Sequence, residues 1–340
     1  MINPCRRADV AFTYIREIGQ EGRNSVVHLA NDDHLEQEVV IKEVKKSHIN
    51  SDEYFREARL LYMSNHPNVV QINFAAQDVD NIYISMPYYA NGSVSSKMER
   101  QRFTPREVIR YSLHFLNGLH HIHTKGLMHF DIKPNNLMLS DRDEALLADF
   151  GLSEIIDKDN RAFPGNQYVI HIPPEYFSER SFGFTYDIYQ AGMTIYRMAV
   201  GFDAFNAEID DLFRRNSLQN DICTGSFPAK SYEEHIPKPL RKIINKCLEI
   251  DPQDRYQSVL DILNDLSSID DCCLDWRPLP ADQGSSWSKK VDGIELIFNV
   301  VDGQSTCYRI NEVGQKRKYS ALCHEGLTSA KVYKLLKDNG

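Results

Sequence analysis

The sequence predicts an α+β fold, because strand-like and helix-like patterns occupy separate blocks of the chain. Residues 12–44 contain short β-branched runs separated by turn residues, which is typical of an antiparallel meander. From about residue 104, apolar residues recur at three and four positions, as in helices packed on a core. After about residue 290 the period returns to two, so a second, smaller antiparallel sheet is expected.

The composition is ordinary for a globular protein. The 340 residues are 42% apolar and 26% charged, with a formal net charge of -9. This acidic balance argues against a protein that coats nucleic acid with its whole surface. No run approaches the length of a membrane span, and no apolar stretch follows the N-terminal arginines as in a secretory signal. The expected location is therefore cytoplasmic, without a membrane partner.

The densest group of reactive side chains lies in residues 127–151. Two carboxylates, a lysine and a carboxamide fall within nineteen positions: Asp131, Asp149, Lys133 and Asn136. Phosphoryl transfer needs a base or orienter for a hydroxyl, a cation against the moving phosphate, and oxygen ligands for a divalent metal ion. The cluster therefore indicates phosphoryl transfer.

A glycine-containing turn precedes this cluster. Gly19 and Gly22 lie in the turn between the first two predicted strands, where missing Cβ atoms let backbone N–H groups approach phosphates. By itself the turn is also compatible with a plain hairpin.

Several segments resemble the eukaryotic-like protein kinases of Ser/Thr type. Residues 131–136 and the following Asp149-Phe150-Gly151 resemble the catalytic and metal-binding loops, and Val39-Val40-Ile41-Lys42 resembles the V-A-I-K strand. Residues 172–175 and 251–255 resemble the A-P-E and D-P-x-x-R segments, which implies a buried Glu175–Arg255 pair. Asp187 resembles the aspartate that holds the catalytic-loop backbone.

The resemblance implies a bilobal kinase-like fold over residues 9–270. The β-rich N-lobe would span about 9–86, the linker 87–92 and the helical C-lobe 93–270. It also implies ATP as the nucleotide and a protein substrate with a Ser or Thr acceptor.

The resemblance implies a role for each side chain of the cluster. Asp131 would orient or deprotonate the substrate hydroxyl, and Lys133 would neutralise charge on the γ-phosphate. Asn136 and Asp149 would hold Mg²⁺, or Mn²⁺ in its place. Lys42, clamped by Glu57 on a helix expected from Ser51, would place the α- and β-phosphates. The remaining nucleotide contacts would come from Ile18, Gly19, Gly22, Val26, Val40, Met86, Pro87, Tyr89 and Met138.

Three departures from the family pattern leave alternatives open. The glycine turn carries Glu21 and Asn24 where the family has glycines, which keeps a pseudokinase scaffold as a rival. Phe130 replaces the arginine before Asp131, so the usual partner of an activation-loop phosphate is missing and activity without that phosphorylation is expected. Tyr168 replaces a threonine, which leaves dual specificity open.

The C-terminal segment resembles no family that we recognise. Residues 271–287 have the composition of a linker, and residues 288–340 predict a small accessory domain. Its expected elements are strands at 293–301, 305–310 and 318–322 and a helix at 328–336. From Ser285 onward the chain has nine Lys or Arg but only six Asp or Glu, so this segment carries a net positive charge. Its basic side chains could bind an acidic protein or a nucleic acid; the alternative is that they form an ordinary solvated surface.

Overall fold

The computed structural model describes residues 9–19, 25–48, 59–60, 62, 65–163, 169–270 and 272–339. Gly22, Glu57, Tyr168 and most of the helix expected from Ser51 lie outside these residues. Within them the α+β class is confirmed, with a β-rich N-lobe, a helical C-lobe, and a second antiparallel sheet followed by a helix.

The first sheet is antiparallel with strand order β1-β2-β3-β5-β4. Because side chains alternate across a strand, Val39 and Ile41 pack on one face while Lys42 and Val44 point to the other. The second of these faces looks toward the helical lobe and forms the roof of the site described below. The strands are β1 Phe12–Gly19, β2 Ser25–Asp32, β3 Gln37–Lys45, β4 Phe74–Gln77 and β5 Asn81–Pro87.

The helical lobe is built around one buried helix, α3. Every residue of α3 from Tyr186 to Val200 is buried. Gly192 lets the helix approach its neighbour closely, since a Cβ there would lie 2.4 Å from Cys247 Cβ. The helices described in this lobe are α1 Val94–Arg100, α2 Pro105–Thr124, α3 Thr185–Val200, α4 Phe202–Arg215, α5 Leu218–Cys223, α6 Lys238–Cys247 and α7 Val259–Ser267.

The start of α2 follows its sequence signature. Thr104 and Glu107 exchange side-chain hydrogen bonds with each other's backbone N–H, and Pro105 occupies the first turn. Between α2 and α3 the chain forms two small ribbons. They pair β6 Leu127–Met128 with β9 Glu154–Ile155, and β7 Leu137–Leu139 with β8 Ala145–Leu147.

The second sheet has the order β10-β11-β12-β13-β14. Its two-residue hairpin turns are Asp292-Gly293 and Asp302-Gly303, all with positive φ, as the Asp-Gly pattern predicts. The strands are β10 Arg277–Leu279, β11 Ser285–Val291, β12 Ile294–Val301, β13 Gln304–Ile310 and β14 Lys316–Lys318, and the helix α8 is Ser329–Asp338.

Two expectations for this region need correction. The predicted linker 271–287 contains β10 and the first residues of β11, because it carries the buried Trp276 and Trp287. The strand expected at 318–322 is wrong: β14 ends at Lys318, and residues 320–322 form a 3₁₀ turn that places Leu322 in the core. The division of the chain at 271–287 remains a prediction.

The second sheet packs on the helical lobe. Trp287 Nε1 donates to Nδ1 of the buried His235, 3.2 Å away, just before α6. Two further links reach the first turn of α2, where Arg106 binds Asp275 with two hydrogen bonds and Arg277 reaches Glu107 at 3.0 Å. Among the described helices, none is long and apolar enough to span a membrane.

Candidate active site

Asp131 is the centre of a buried hydrogen-bonded group. The residue is 5% exposed, and its Oδ2 accepts from Lys133 Nζ and from Asn136 Nδ2, both at 2.8 Å. Its Oδ1 is buried and has no hydrogen-bond partner among the residues that the structure describes. One carboxylate oxygen is therefore fixed and the other is left to accept a proton or a hydrogen bond.

Helix α3 holds the loop that carries Asp131. The buried carboxylate of Asp187 accepts from the backbone N–H groups of His129 and Phe130, both at 2.8 Å. Gln190, one turn further, accepts from Ile132 N–H and donates to the Phe130 carbonyl. These bonds confirm the predicted role of Asp187. They also hold Phe130 at a φ of 65°, a conformation that costs a bulky residue about 1–3 kcal/mol.

Asp149 follows β8 and faces Lys42 from the first sheet. Their closest atoms, Asp149 Oδ1 and Lys42 Nζ, are 3.6 Å apart. Burial by itself would raise the pKa of Asp149, but Lys42 and the Gly151 N–H hold that pKa below its ordinary value. Asp149 is therefore ionised at neutral pH, as a cation ligand must be.

Asn136 and Asp149 line the same cleft and suit a hard divalent cation. Asn136 uses its Nδ2 to bind the backbone and side chain of Asp131, so its Oδ1 remains for a ligand. A carboxylate and an amide oxygen are donors that such cations accept, so the predicted pair fits a divalent metal ion.

The cleft between the first sheet and the helical lobe has a volume of about 380 Å³. Most predicted nucleotide contacts line it: Ile18, Gly19, Val40, Lys42, Met86, Pro87, Tyr89 and Met138. The two predicted metal ligands, Asn136 and Asp149, line it as well. Asp131 and Lys133 lie next to it, joined to its wall through Asn136.

Val27, and not the predicted Val26, lines the cleft. In the β2–β3 register Val27 lies opposite Lys42, whereas Val26 lies opposite Glu43 and so points to the other face. The prediction assumed a turn of family length, and this chain has one residue more between Gly19 and the valine. Sequence reasoning also missed other lining residues, including Arg16, Val70, Ile84, Asn135 and Ala148.

A buried ion pair fixes the segment that follows the cluster. Arg255 makes two hydrogen bonds of 2.7 Å to Glu175, and its guanidinium also reaches the backbone carbonyls of Glu249 and Thr185. The predicted Glu175–Arg255 pair is therefore confirmed.

Comparison with protein families identifies the class of protein. The family of the protein kinase domain matches residues 12–265, and the chain belongs to that family. The match ends before β10.

Individual relatives agree with this assignment. The chain is 28% identical to a probable serine/threonine-protein kinase of Clostridium acetobutylicum over 74% of this chain and 39% of the relative. It is 23% identical to the serine/threonine-protein kinase PknD of Protochlamydia amoebophila, over 76% and 30%. It is 26% identical to 3-phosphoinositide-dependent protein kinase 1 of Rattus norvegicus, over 74% and 45%. The chain thus spans less than half the length of these curated relatives.

Proposed function

We propose that this chain is an ATP-dependent protein kinase that transfers the γ-phosphate to Ser and Thr hydroxyls of protein substrates. One observation carries the proposal: Asp131 Oδ1 is buried and has no hydrogen-bond partner within the described part of the chain, while Lys133 and Asn136 fix its Oδ2. Such a group is suited to receive a hydroxyl proton, and a merely structural aspartate would be satisfied on both oxygens. Membership of the kinase family and the names of the Ser/Thr kinase relatives support the same reaction.

In this reaction the substrate hydroxyl oxygen forms a bond to the γ-phosphorus. The bond from that phosphorus to the β–γ bridging oxygen breaks, and ADP leaves. Asp131 Oδ1 orients the hydroxyl and receives its proton, while Lys133 offsets the charge that spreads over the phosphoryl oxygens. The 2.8 Å contact between Lys133 and Asp131 keeps the lysine ammonium beside the carboxylate, at the place where the substrate hydroxyl and the γ-phosphate meet.

The cleft supplies the nucleotide site. Val40 and Met138 lie on its wall, and Lys42 provides a positive charge for the α- and β-phosphates. Mg²⁺ is the proposed cation and Mn²⁺ its substitute; when bound it neutralises charge on the β- and γ-phosphates. Asn136 and Asp149 would hold it.

The test is phosphate transfer from labelled ATP to a generic protein, with Mg²⁺ and with Mn²⁺. The wild-type chain should label the protein, and Asp131→Asn should lower the rate by at least about a hundredfold. Asp141→Asn, an exposed aspartate in the nearby turn, is the matched control and should keep the rate. Mass-spectrometric mapping identifies the hydroxyl type. Absence of transfer by the wild type with both cations would refute the proposal and favour a scaffold.

The proposed activity needs no phosphorylation of the activation segment, the stretch between Gly151 and Glu175. Phe130 is fully buried in an apolar cluster with Met128, Ala162, Phe182 and Tyr186, at the position where the family places an arginine. Ala162 in this segment also exchanges two backbone hydrogen bonds of 2.9 Å with Phe182. Apolar packing and backbone pairing thus take the place of a phosphate–arginine contact.

Treatment with a protein phosphatase tests this. The initial rate of the treated chain should equal that of the untreated chain, while a kinase that depends on its phosphate, treated in parallel, loses activity. A loss of rate that returns after preincubation with ATP would contradict the proposal.

A partner for the basic C-terminal segment stays a prediction. Lys316, Arg317 and Lys318 are exposed on the edge strand β14, so an acidic protein is compatible with this edge. Nothing in the relatives points to a nucleic acid.

A further inference from the structure

The backbone carbonyl between Asp131 and Lys133 is held by two side chains outside the loop. The carbonyl oxygen of the buried Ile132 accepts from His171 Nδ1 at 2.8 Å and from Thr194 Oγ1 at 3.2 Å. A carbonyl oxygen has two lone pairs, so its acceptor capacity is filled. The peptide plane between the proposed base and the proposed phosphate-binding lysine is thereby fixed.

The hydrogen bonds of His171 define its tautomer. The Ile132 carbonyl can only accept, so Nδ1 carries the proton, and Nε2 accepts from Arg197 Nη1 at 2.9 Å because a guanidinium can only donate. Burial, and then the charge of Arg197, lowers the pKa of His171 well below its ordinary value, which keeps the ring neutral. His171 therefore joins Arg197 to the catalytic loop through one fixed ring.

These contacts join three parts of the lobe. His171 lies in the 3₁₀ turn Val169–His171, four residues before Glu175, the residue that Arg255 anchors. The other partners lie on α3 at spacings of three, four and three, which places them on one face of the helix: Asp187, Gln190, Thr194 and Arg197. One helix face thus holds the catalytic loop both directly and through His171.

We propose that His171 is a positioning residue for phosphoryl transfer, which ties the segment preceding Glu175 to the loop that carries Asp131. Without this tie the Ile132 carbonyl keeps only one of its two side-chain donors, Thr194, so the peptide can tilt and the common orientation of Asp131 and Lys133 is weakened. A small misplacement of reacting groups costs far more in rate than in binding, because the geometry of approach dominates the barrier. The inference rests on the proposed kinase activity.

Three substitutions at position 171 test the two hydrogen bonds of the His171 ring individually. In His171→Asn the amide nitrogen replaces Nδ1 and can restore the bond to the Ile132 carbonyl. In His171→Gln the longer side chain places its amide near Nε2 and restores only the contact with Arg197. His171→Ala removes both contacts.

The readouts are kcat, the KM for ATP and the thermal unfolding midpoint. We expect His171→Ala and His171→Gln to lower kcat by about tenfold to a hundredfold, with the KM for ATP within about twofold of the wild-type value. His171→Asn should keep kcat within about threefold, even if its unfolding midpoint falls as far as that of the other two. Activity that is retained in His171→Asn but lost in His171→Gln is a pattern that general loss of packing does not produce.

Thr194 provides a second pair on the same carbonyl, in case the His171 variants fail to fold. Thr194→Val keeps the shape but removes the hydroxyl, whereas Thr194→Ser keeps the hydroxyl. We expect Thr194→Val to lower kcat several-fold, without a change in the KM for ATP, and Thr194→Ser to keep the wild-type kcat.

The outcomes distinguish this inference from the proposed function. If the wild type transfers no phosphate, the proposed function fails and the inference falls with it. If the wild type is active and Thr194→Val and every folded His171 variant keep the wild-type kcat, the inference alone is wrong. Equal losses of kcat in all three His171 variants, Asn included, would also overturn it, because they would show a role in packing only.

Discussion

The described residues form two antiparallel five-stranded sheets that differ in what lies against their inner faces. In the first sheet, Val27, Lys42 and Ile84 form one row across β2, β3 and β5, and all three line the cleft. In the second sheet, Trp287, Phe298 and Cys307 form the corresponding row across β11, β12 and β13. Each of these three is at most 1% exposed, because Val332 and Leu336 of α8 pack against the row.

The difference separates two uses of the same architecture. The row in the first sheet borders an open cleft, so its residues can contact a ligand. An inner face filled by aromatic rings and a helix contributes free energy of folding and attaches the sheet to the lobe beneath. Substitutions in the first row should therefore change the chemistry, and substitutions in the second row should change the stability.

The largest effect is expected in the second row. Trp287→Ala removes a fully buried indole stacked on Phe298 and leaves His235 Nδ1 without its donor, so it should lower the free energy of unfolding by about 3–5 kcal/mol. Chemical denaturation measures this. Val313→Ala, at a position 84% exposed, is the control and should change it by less than about 0.5 kcal/mol. Below its unfolding transition the Trp287 variant should retain the wild-type kcat, and a lost kcat there would refute the division of roles.

The opposite result is expected in the first row. Lys42→Met removes the charge that faces Asp149 and the proposed phosphates, so kcat/KM for ATP should fall by about a hundredfold or more while the unfolding free energy stays within about 1 kcal/mol. Lys45→Met, an exposed lysine on the other face of the same strand, should keep the activity. Activity equal to wild type in Lys42→Met would remove this residue from the nucleotide site.

The hydrogen-bonded group around Asp131 was predictable from the sequence because its parts are close in the chain. Asp131, Lys133 and Asn136 lie within six residues, so they belong to one short loop and lie close together whatever the fold around it. The prediction of Val26 failed for the opposite reason: which residue faces the cleft depends on the strand register, and one added residue in the turn moves the next side chain to the other face.

The second sheet was only partly predictable. Proline, glycine and serine between residues 277 and 286 obscured β10 and the start of β11, although both tryptophans of the chain lie at 276 and 287 and two such residues in one short segment indicate a core. The contacts of His171 with Ile132 and Arg197 join positions up to 39 residues apart, and no spacing in the sequence reveals them.

The contact between Trp287 of the second sheet and His235 of the helical lobe should make the stability of the chain sensitive to acid. Burial, with Arg102 and Arg241 adding to it, lowers the pKa of His235 well below its ordinary value, so the folded chain keeps this ring neutral. The unfolded chain binds a proton there below about pH 6.5, and stability therefore falls as the pH decreases through and below that value.

His235→Asn should flatten that dependence. The asparagine oxygen can still accept from Trp287 but cannot titrate. As the pH decreases from about 6 to 5, the unfolding free energy of the wild type should therefore fall more steeply than that of the variant, by about 1.4 kcal/mol per pH unit. Above about pH 7.5 the unfolding free energies of the two proteins should depend on pH in the same way, because His235 is neutral there in both the folded and the unfolded chain. Identical slopes at acidic pH would mean that His235 titrates normally.

The smallest effect on the unfolding free energy is expected at the exposed edge of the contact between the second sheet and the helical lobe. Arg106 donates two hydrogen bonds to Asp275, at 2.6 and 2.9 Å, but the two side chains are 59% and 40% exposed. Water and salt screen such a pair, so Arg106→Ala should lower the unfolding free energy by no more than about 1 kcal/mol, and by less in 1 M salt. Arg214→Ala, which removes an exposed pair within α4, is a matched control outside the interface. A loss above about 2 kcal/mol that persists in high salt would contradict the comparison, because it would assign the attachment of the sheet to its polar rim and not to the row of buried rings.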